Sequence, residues 1–138
     1  MKNIITLSIV LFSSVLSYAG NPPAAVLKAF HERFHDASNV KWGKESSTEW
    51  EAEFSLKSIK VSANFKNDGA WVETETEIAI TDLPLIVGDA IHKQYPGWTI
   101  VDAFRIESAT KGTLYEADIK TGKKKKEVIY KEDGTVVK

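Results

Sequence analysis

Glutamates that recur at every second position are the first residues in this chain with chemical potential. Two lie in the stretch WEAEF and three in WVETETEIAI, namely Glu51, Glu53, Glu73, Glu75 and Glu77. Alternate side chains of a β-strand point to the same face, so both stretches predict carboxylates on one face of a sheet. Carboxylates in pairs can carry out acid–base catalysis or bind Ca²⁺.

The surroundings of these glutamates favour a simpler interpretation. Catalytic carboxylate pairs need a desolvated cleft that separates their pKa values. Here the adjacent strand supplies polar and basic side chains, namely Lys60, Ser62, Asn64 and Lys66. Cross-strand charge pairing on a solvated sheet is therefore the main interpretation, with cation binding as the alternative. We predict a polar binding face that includes Glu51, Glu53, Glu73, Glu75, Lys60 and Lys66.

Histidines offer a second kind of site. His31 and His35 lie four residues apart on a predicted helix, a spacing at which two imidazoles can share a metal ion. The chain has no HExxH motif, however, and the second predicted helix contains only His92. A half-buried structural role for His31 is the favoured interpretation, and we predict no metal and no cofactor.

Two further groups complete the candidates. Lys123–Lys126 is a basic run at a predicted hairpin, where solvated lysines discourage edge-to-edge strand pairing. Trp71 is the predicted exposed aromatic and a candidate for partner binding, since aromatic residues dominate protein-binding hot spots. Its face depends on the register of the Asp68-Gly69 turn, which a β-bulge would shift by one residue.

Catalytic motifs are missing from the sequence. It contains no GxSxG, no GxGxxG, no phosphate-binding P-loop and no cysteine. We therefore predict that the protein is not an enzyme, with an unrecognised hydrolase as the least favoured alternative.

The N-terminus has the pattern of a secretory signal peptide. Lys2 precedes an apolar run that ends in Ser17-Tyr18-Ala19, with small residues at the positions that signal peptidase reads. We predict a signal peptide at 1–19, a location in the periplasm or outside the cell, and no membrane span after cleavage. The net charge of −1 argues against nucleic acid as a partner.

The elements that must position these residues occur twice along the chain. Each half begins with a proline and an amphipathic helix. The predicted apolar stripes are Val26, Leu27, Phe30 and Phe34 in the first helix and Ile86, Val87, Ala90, Ile91 and Tyr95 in the second, which Thr81 or Asp82 can cap. About four alternating strands follow each helix, and WEAEF (50–54) matches YEADI (115–119). Asp68-Gly69 and Asp133-Gly134 predict hairpin turns at equivalent places. We predict an α+β fold of two tandem repeats, 20–80 and 81–138, whose helices pack on one face of a shared or adjacent sheet.

These doubled motifs resemble the PepSY-like family of exported bacterial proteins. The helix that begins at proline, the Val40-x-Trp42 strand, the WEAEF strand and the Asp-Gly hairpin carry the resemblance, which covers about 22–138. The resemblance implies a β-lactamase-inhibitor-like fold, a periplasmic location and no established catalytic activity. It implies no binding residues.

The predicted function is a non-catalytic periplasmic binding module, with another exported protein as a candidate partner. The alternative is an envelope protein that binds a cation or small ligand through the glutamate-rich face. The sequence predicts neither the target nor the oligomeric state.

Overall fold

The computed structural model describes residues 20–137. The predicted signal peptide, 1–19, lies outside this range. Within residues 20–137, neither helix is long and apolar enough to cross a membrane.

Two short helices and seven strands follow one another in the order that the sequence predicts. The helices are α1 (Ala24–Arg33) and α2 (Leu85–Gln94), and the second follows a single 3₁₀ turn at Ile80–Asp82. The strands are β1 (Ser38–Lys44), β2 (Glu49–Leu56), β3 (Ile59–Lys66), β4 (Trp71–Ile78), β5 (Thr99–Ser108), β6 (Gly112–Thr121) and β7 (Lys124–Lys131).

All seven strands form one antiparallel sheet in sequence order. The pairing of β4 with β5, from Glu73–Ser108 to Ile78–Ala103, joins the two halves of the chain. The predicted α+β class with a shared sheet is therefore confirmed. The predicted last strand is reduced to one bridge, between Tyr130 and Val136.

Both helices cover the same face of the sheet. Val26 and Phe30 of α1 pack on apolar side chains of β2 and β3, and the ring of Phe30 lies 5.0 Å from that of Phe54. Val87 and Ile91 of α2 pack in the same way on β6 and β7. Ile86 was predicted in this buried stripe, but it is 53% exposed, because it begins the helix beside the last turn instead of facing the sheet.

The ends of the helices differ from the prediction in two details. Pro84 is the N-cap of α2 and no side chain caps the helix, so neither Thr81 nor Asp82 has the predicted capping role. The first helix ends at Arg33, with Phe34 as its C-cap.

The turns of the two Asp-Gly hairpins pack against the first turns of the two helices. Gly69 and Gly134 have φ values of +88° and +81°, which side chains with a Cβ rarely adopt. A Cβ on Gly69 would lie 2.6 Å from the carbonyl oxygen of Ala25, and one on Gly134 would lie 3.1 Å from that of Ile86. Glycine is thus required for the turn and for close approach to the first turn of a helix.

Candidate binding site on the acidic face

The face of the sheet opposite the helices carries most of the candidate residues. Register places side chains of β2, β4, β6 and β7 on this face, because Glu51 is opposite Asn64, Asn64 is opposite Glu73, and Asp118 is opposite Glu127. We call this surface the acidic face. Its carboxylates are Glu51, Glu53, Glu73, Glu75, Glu77, Glu116, Asp118 and Glu127.

Several of these carboxylates are buried, although both helices lie on the other side. Glu51 is 1% exposed, Glu75 is 4% exposed and Glu116 is 2% exposed. Glu75 on β4 also interacts electrostatically with Glu127 on β7, although three strand spacings in a flat sheet amount to about 14 Å. Burial and the interaction between distant strands show that the acidic face is not the solvated surface that the sequence predicts.

Burial shifts the titration of these groups in one direction. Desolvation, reinforced by neighbouring carboxylates, raises the pKa of Glu51 to about 7, that of Glu116 to about 8 and that of Glu75 to about 9. Burial also raises the pKa of Asp118 and of Glu127. It raises the pKa of Glu73 as well, against the opposing charge of Lys111. At neutral pH some carboxyl groups of the acidic face are therefore protonated, while others are ionised and carry a negative charge.

Hydrogen bonding does not compensate for this burial. Glu51 Oε2, Glu75 Oε1 and Asp118 Oδ1 are buried and have no hydrogen-bond partner among the described residues. On the same face Lys60 and Glu77 form an ion pair at 3.8 Å, and Lys60 is exposed. A buried carboxylate that lacks a partner is energetically costly, so the acidic face is poised to accept a proton or a cation.

Three carboxylates in the C-terminal half converge more closely than the others. One oxygen from each of Glu116, Asp118 and Glu127 lies within 4.8 Å of the other two, a separation at which a single metal ion can be held. The neighbours of Glu116 on this face are apolar, namely Phe104 on β5 and Ile129 on β7, whereas Asp118 is opposite Asp102 on β5 and also interacts with Lys125. These three residues were not among the predicted site residues, although the match of YEADI to WEAEF pointed to two of them.

The predicted site residues divide between the two faces. Glu51, Glu53, Glu73, Glu75 and Lys60 lie on the acidic face, and Lys66 lies exposed at the end of β3, opposite Glu49. The expected cross-strand charge pairing on a solvated sheet is wrong for Glu51 and Glu75, because both are buried and keep an unpaired oxygen.

Trp71 lies on the helix side of the sheet. The pairing slips between Asn64 and Phe65, so Phe65 is opposite Trp71 and not opposite Val72. Trp71 is half-buried against the first core, its indole donates a hydrogen bond to Thr74 Oγ1 at 2.9 Å, and Arg33 stacks 3.8 Å from its ring centre. The expectation that Trp71 is an exposed aromatic is therefore wrong, because the bulge turns it towards α1.

The histidines lie away from the acidic carboxylates, whereas Lys125 of the lysine run is close enough to Asp118 to oppose the rise in its pKa. His31 is exposed, not half-buried, and His35 follows the end of α1, so the two do not share a helical face. Neither belongs to a metal-capable group among the described residues. Lys123–Lys126 are exposed as predicted, and Lys126 lies 4.8 Å from the ring centre of Tyr95.

The chain is similar to one protein family and to several solved structures. Residues 48–138, more than half of the chain, match the family described as "Putative beta-lactamase-inhibitor-like, PepSY-like". No curated protein matches the sequence.

Three solved structures share the fold at low sequence identity. One is described as a putative periplasmic protein from Bacteroides eggerthii, with a TM-score of 0.77, 15% identity, and coverage of 86% of this chain and 88% of that chain. A BLIP-like protein from Bacteroides fragilis has a TM-score of 0.71 and 23% identity, with coverage of 87% and 86%. A DUF2874 family protein from Bacteroides ovatus has a TM-score of 0.74 and 20% identity, with 87% of each chain covered. At these identities the similarity shows a common fold.

Proposed function

Since the chain belongs to the PepSY-like family, we propose that it is a non-catalytic binding module of the periplasm whose acidic face engages another exported protein. The observation that carries this proposal is a set of buried carboxylates on a face that no helix of the described chain covers. Two of these, Glu51 and Glu75, have an unpaired oxygen, as does half-buried Asp118. The names of structural relatives, putative periplasmic and BLIP-like, support the location and the inhibitor-like role.

The chemistry of the face favours a partner segment that carries lysine or arginine. A cationic side chain that enters a desolvated acidic site gains more Coulomb energy than it would in water, and it meets carboxylates already held by a sheet. Glu53 and Glu73 are half-buried and are placed to contact the partner, whereas Glu51 and Glu75 lie deeper. Trp71 and its stacked Arg33 belong to the opposite side and have no role in this contact.

A non-catalytic role accords with the positions of the other reactive groups. All three histidines lie on or directly after the helices, away from the carboxylates that have raised pKa values. Acid–base chemistry on the acidic face would therefore have to use carboxylates alone.

The proposal includes export and a repeated architecture. Cleavage after Ala19 would produce a mature chain that begins at Gly20, which N-terminal sequencing of the protein from a periplasmic extract would test. Two repeats, 20–80 and 81–138, are supported by helices that each follow a proline N-cap and end at similar C-cap angles, φ −127° and ψ 67° at Phe34, φ −126° and ψ 66° at Tyr95.

Site-specific crosslinking in the native organism tests the protein-binding proposal. A photoreactive amino acid at Glu53 or Glu73 is expected to give a discrete crosslinked product that 0.5 M salt weakens. The same probe at Glu32, an exposed glutamate on α1, is the matched control and is expected to give none. Identical products from all three positions, or no product from the acidic face, would contradict the proposal.

A cation- or small-ligand-binding role is the second candidate. The convergence of Glu116, Asp118 and Glu127 favours a cation over other small ligands, because three carboxylates within 4.8 Å repel one another when all are ionised. A cation that binds only the folded protein raises the melting temperature of that protein. If the protein binds only a protein partner, an added cation leaves the melting temperature of the purified protein unchanged.

A further inference from the structure

We propose that Glu116, Asp118 and Glu127 form a binding site for one Ca²⁺ ion, with the buried carboxylate of Glu75 beside it. The inference rests on the cation-binding candidate above and is independent of the protein-binding proposal. It assigns that candidate to one place on the acidic face and to one class of ion.

The backbone arrangement fixes the three ligands on one side of two paired strands. Glu116 and Asp118 are two residues apart on β6, so their side chains point to the same face. Glu127 on β7 is directly opposite Asp118. One oxygen from each carboxylate already lies within 4.8 Å of the others, so an ion between them needs only small side-chain rotations. Three carboxylates supply up to six oxygens, and solvent can complete the shell of six to eight that Ca²⁺ takes.

A second observation points to a ligand at this place. Glu75 is 4% exposed, and its Oε1 has no hydrogen-bond partner among the described residues. Among the neighbouring carboxylates that raise the pKa of Glu75, Glu116 comes first and Glu127 also contributes, so the Glu75 carboxyl lies near the cluster. Asp118 Oδ1 is likewise buried without a partner. A cation at the cluster would stabilise the ionised form of both groups. Lys125 acts on Asp118 from a distance, but neither group has an ion-pair partner among the described residues, where the ion pairs involve Lys28, Lys60 and Arg105.

The donor set selects the ion. All the candidate ligand atoms are carboxylate oxygens, which suit hard cations, and no histidine or cysteine is available to favour zinc or copper. Mg²⁺ demands a near-ideal octahedron at short distances, while Ca²⁺ accepts irregular geometry and mono- or bidentate carboxylates. Apolar residues on either side, Phe104 and Ile129, limit solvent around the ion and strengthen its attraction to the carboxylates.

Calorimetric titration of the chelator-treated mature protein with CaCl₂ tests the site directly. We expect one equivalent of Ca²⁺ to bind at pH 7.5 with a dissociation constant of about 10⁻⁴–10⁻³ M, the range of extracellular Ca²⁺ modules. At 10 mM CaCl₂ the melting temperature should rise by about 5 °C above that in NaCl of equal ionic strength. MgCl₂ should give a clearly smaller rise. No binding heat and no rise beyond the NaCl control would overturn the proposal.

Variants connect the binding to these residues. Asp118→Asn and Glu127→Gln should each weaken Ca²⁺ binding at least tenfold, and the use of two variants covers the case in which one fails to fold, judged by circular dichroism. Glu75→Gln should raise the melting temperature of the Ca²⁺-free protein and reduce the rise that Ca²⁺ produces. Glu32→Gln, the matched control on α1, should bind Ca²⁺ as the parent does. Unchanged affinity in both cluster variants would place any bound Ca²⁺ elsewhere and refute the site.

The two proposals fail separately. Loss of the crosslinked partner with Ca²⁺ binding intact would remove only the protein-binding role. Absence of Ca²⁺ binding with the crosslink intact would remove only this inference.

Discussion

Two strand pairs of the same sheet, β2–β3 and β6–β7, present different chemistry on the acidic face. Glu51 and Glu53 on β2 are opposite the neutral polar residues Asn64 and Ser62. Glu116 and Asp118 on β6 match them in pattern but are opposite Ile129 and Glu127. In β2–β3 an amide and a hydroxyl group therefore lie opposite the two carboxylates. In β6–β7 an apolar residue and a third carboxylate lie opposite them.

The difference shows how one backbone arrangement can support a diffuse acidic surface in one half and a converged cluster in the other. Both strand pairs use the same alternation and an equivalent hairpin. The side chain opposite the second acidic residue, Ser62 in one case and Glu127 in the other, decides whether three carboxylates meet. Among the described residues only the C-terminal pair forms a metal-capable group.

The largest losses of stability are expected from substitutions in the cores of the two halves. Phe30 contacts the rings of Phe34, Trp42, Phe54 and Phe65, whereas Ile91 occupies the corresponding place on α2 in a core with fewer aromatic side chains. Phe30→Ala should lower the free energy of unfolding by about 3–5 kcal/mol, and Ile91→Ala by about 2–4 kcal/mol. Urea denaturation followed by tryptophan fluorescence measures both. A larger loss for Ile91→Ala would show that the aromatic core is not the more sensitive one.

The two turn glycines should differ next. Alanine at either position is strained by the positive φ, but at Gly69 its Cβ would also meet a backbone oxygen at 2.6 Å, while at Gly134 the contacts are 3.1 Å. We expect Gly69→Ala to cost about 3 kcal/mol and Gly134→Ala about 1–2 kcal/mol, since the strained φ alone accounts for roughly 1–2 kcal/mol. The same urea experiment compares them, with Gly122→Ala as the control, a turn glycine with positive φ and open space.

Stability should fall as pH rises from about 5 to 9. A carboxyl whose pKa is higher in the folded than in the unfolded chain favours folding at low pH, and that advantage is lost as pH passes the folded pKa. For Glu51 the loss runs from about pH 4.5 to about 7 and amounts to at most about 3 kcal/mol. For Glu116 and Glu75, with pKa values of about 8 and about 9, it continues to higher pH.

Glu51→Gln separates the pH range in which Glu51 titrates from the higher range in which Glu116 and Glu75 titrate. The variant should remove part of the pH dependence below about pH 7, leave the dependence above it, and raise stability at pH 8. Melting temperatures measured in chelator-containing buffers across this range provide the test. Glu53→Gln, which removes an equal charge from a half-buried position, is the control. If Glu51→Gln kept the full slope below pH 7, the assignment of that window to Glu51 would be wrong.

The smallest contrast concerns one hydroxyl group. Tyr130 on β7 donates a hydrogen bond to Gln94 Oε1 at 2.7 Å, while Phe65, its counterpart next to the first Asp-Gly turn, has no hydroxyl. Tyr130→Phe should cost about 0.5–1 kcal/mol, because exposed Gln94 can recover a hydrogen bond from water. Thermal unfolding of Tyr130→Phe, Gln94→Ala and the double variant measures the pair, and a loss in the double variant smaller than the sum of the two single losses would confirm the bond.

Much of the fold could be predicted because its signals are local. Proline followed by apolar residues at helical spacing predicts α1 and α2, and Asp-Gly between alternating runs predicts both hairpins. Alternation also predicts that Glu51, Glu53, Glu73 and Glu75 share a face. The face of the sheet on which Trp71 lies could not be predicted, since a bulge of one residue moves the side chains beyond it to the opposite face. Whether the bulge forms depends on how the turn packs against Ala25.

The candidate site was predictable only in part. Alternation identifies a face but contains no distance between strands that are far apart in the sequence. Only the folded sheet sets that distance, and in it Glu75 on β4 interacts with Glu127 on β7. Folding also buries Glu51 and Glu75, which the sequence predicts as solvated, and Glu116, for which it makes no prediction.

By itself, then, the sequence determined the helices, the hairpins and the face on which each alternating side chain lies, because neighbouring residues set these features. Only the tertiary structure decided that β4 pairs with β5, that Trp71 turns towards α1, and that Glu116, Asp118 and Glu127 converge. These outcomes depend on long-range strand pairing, on one bulge and on side chains of different strands, which come together only when the whole apolar face packs beneath the two helices.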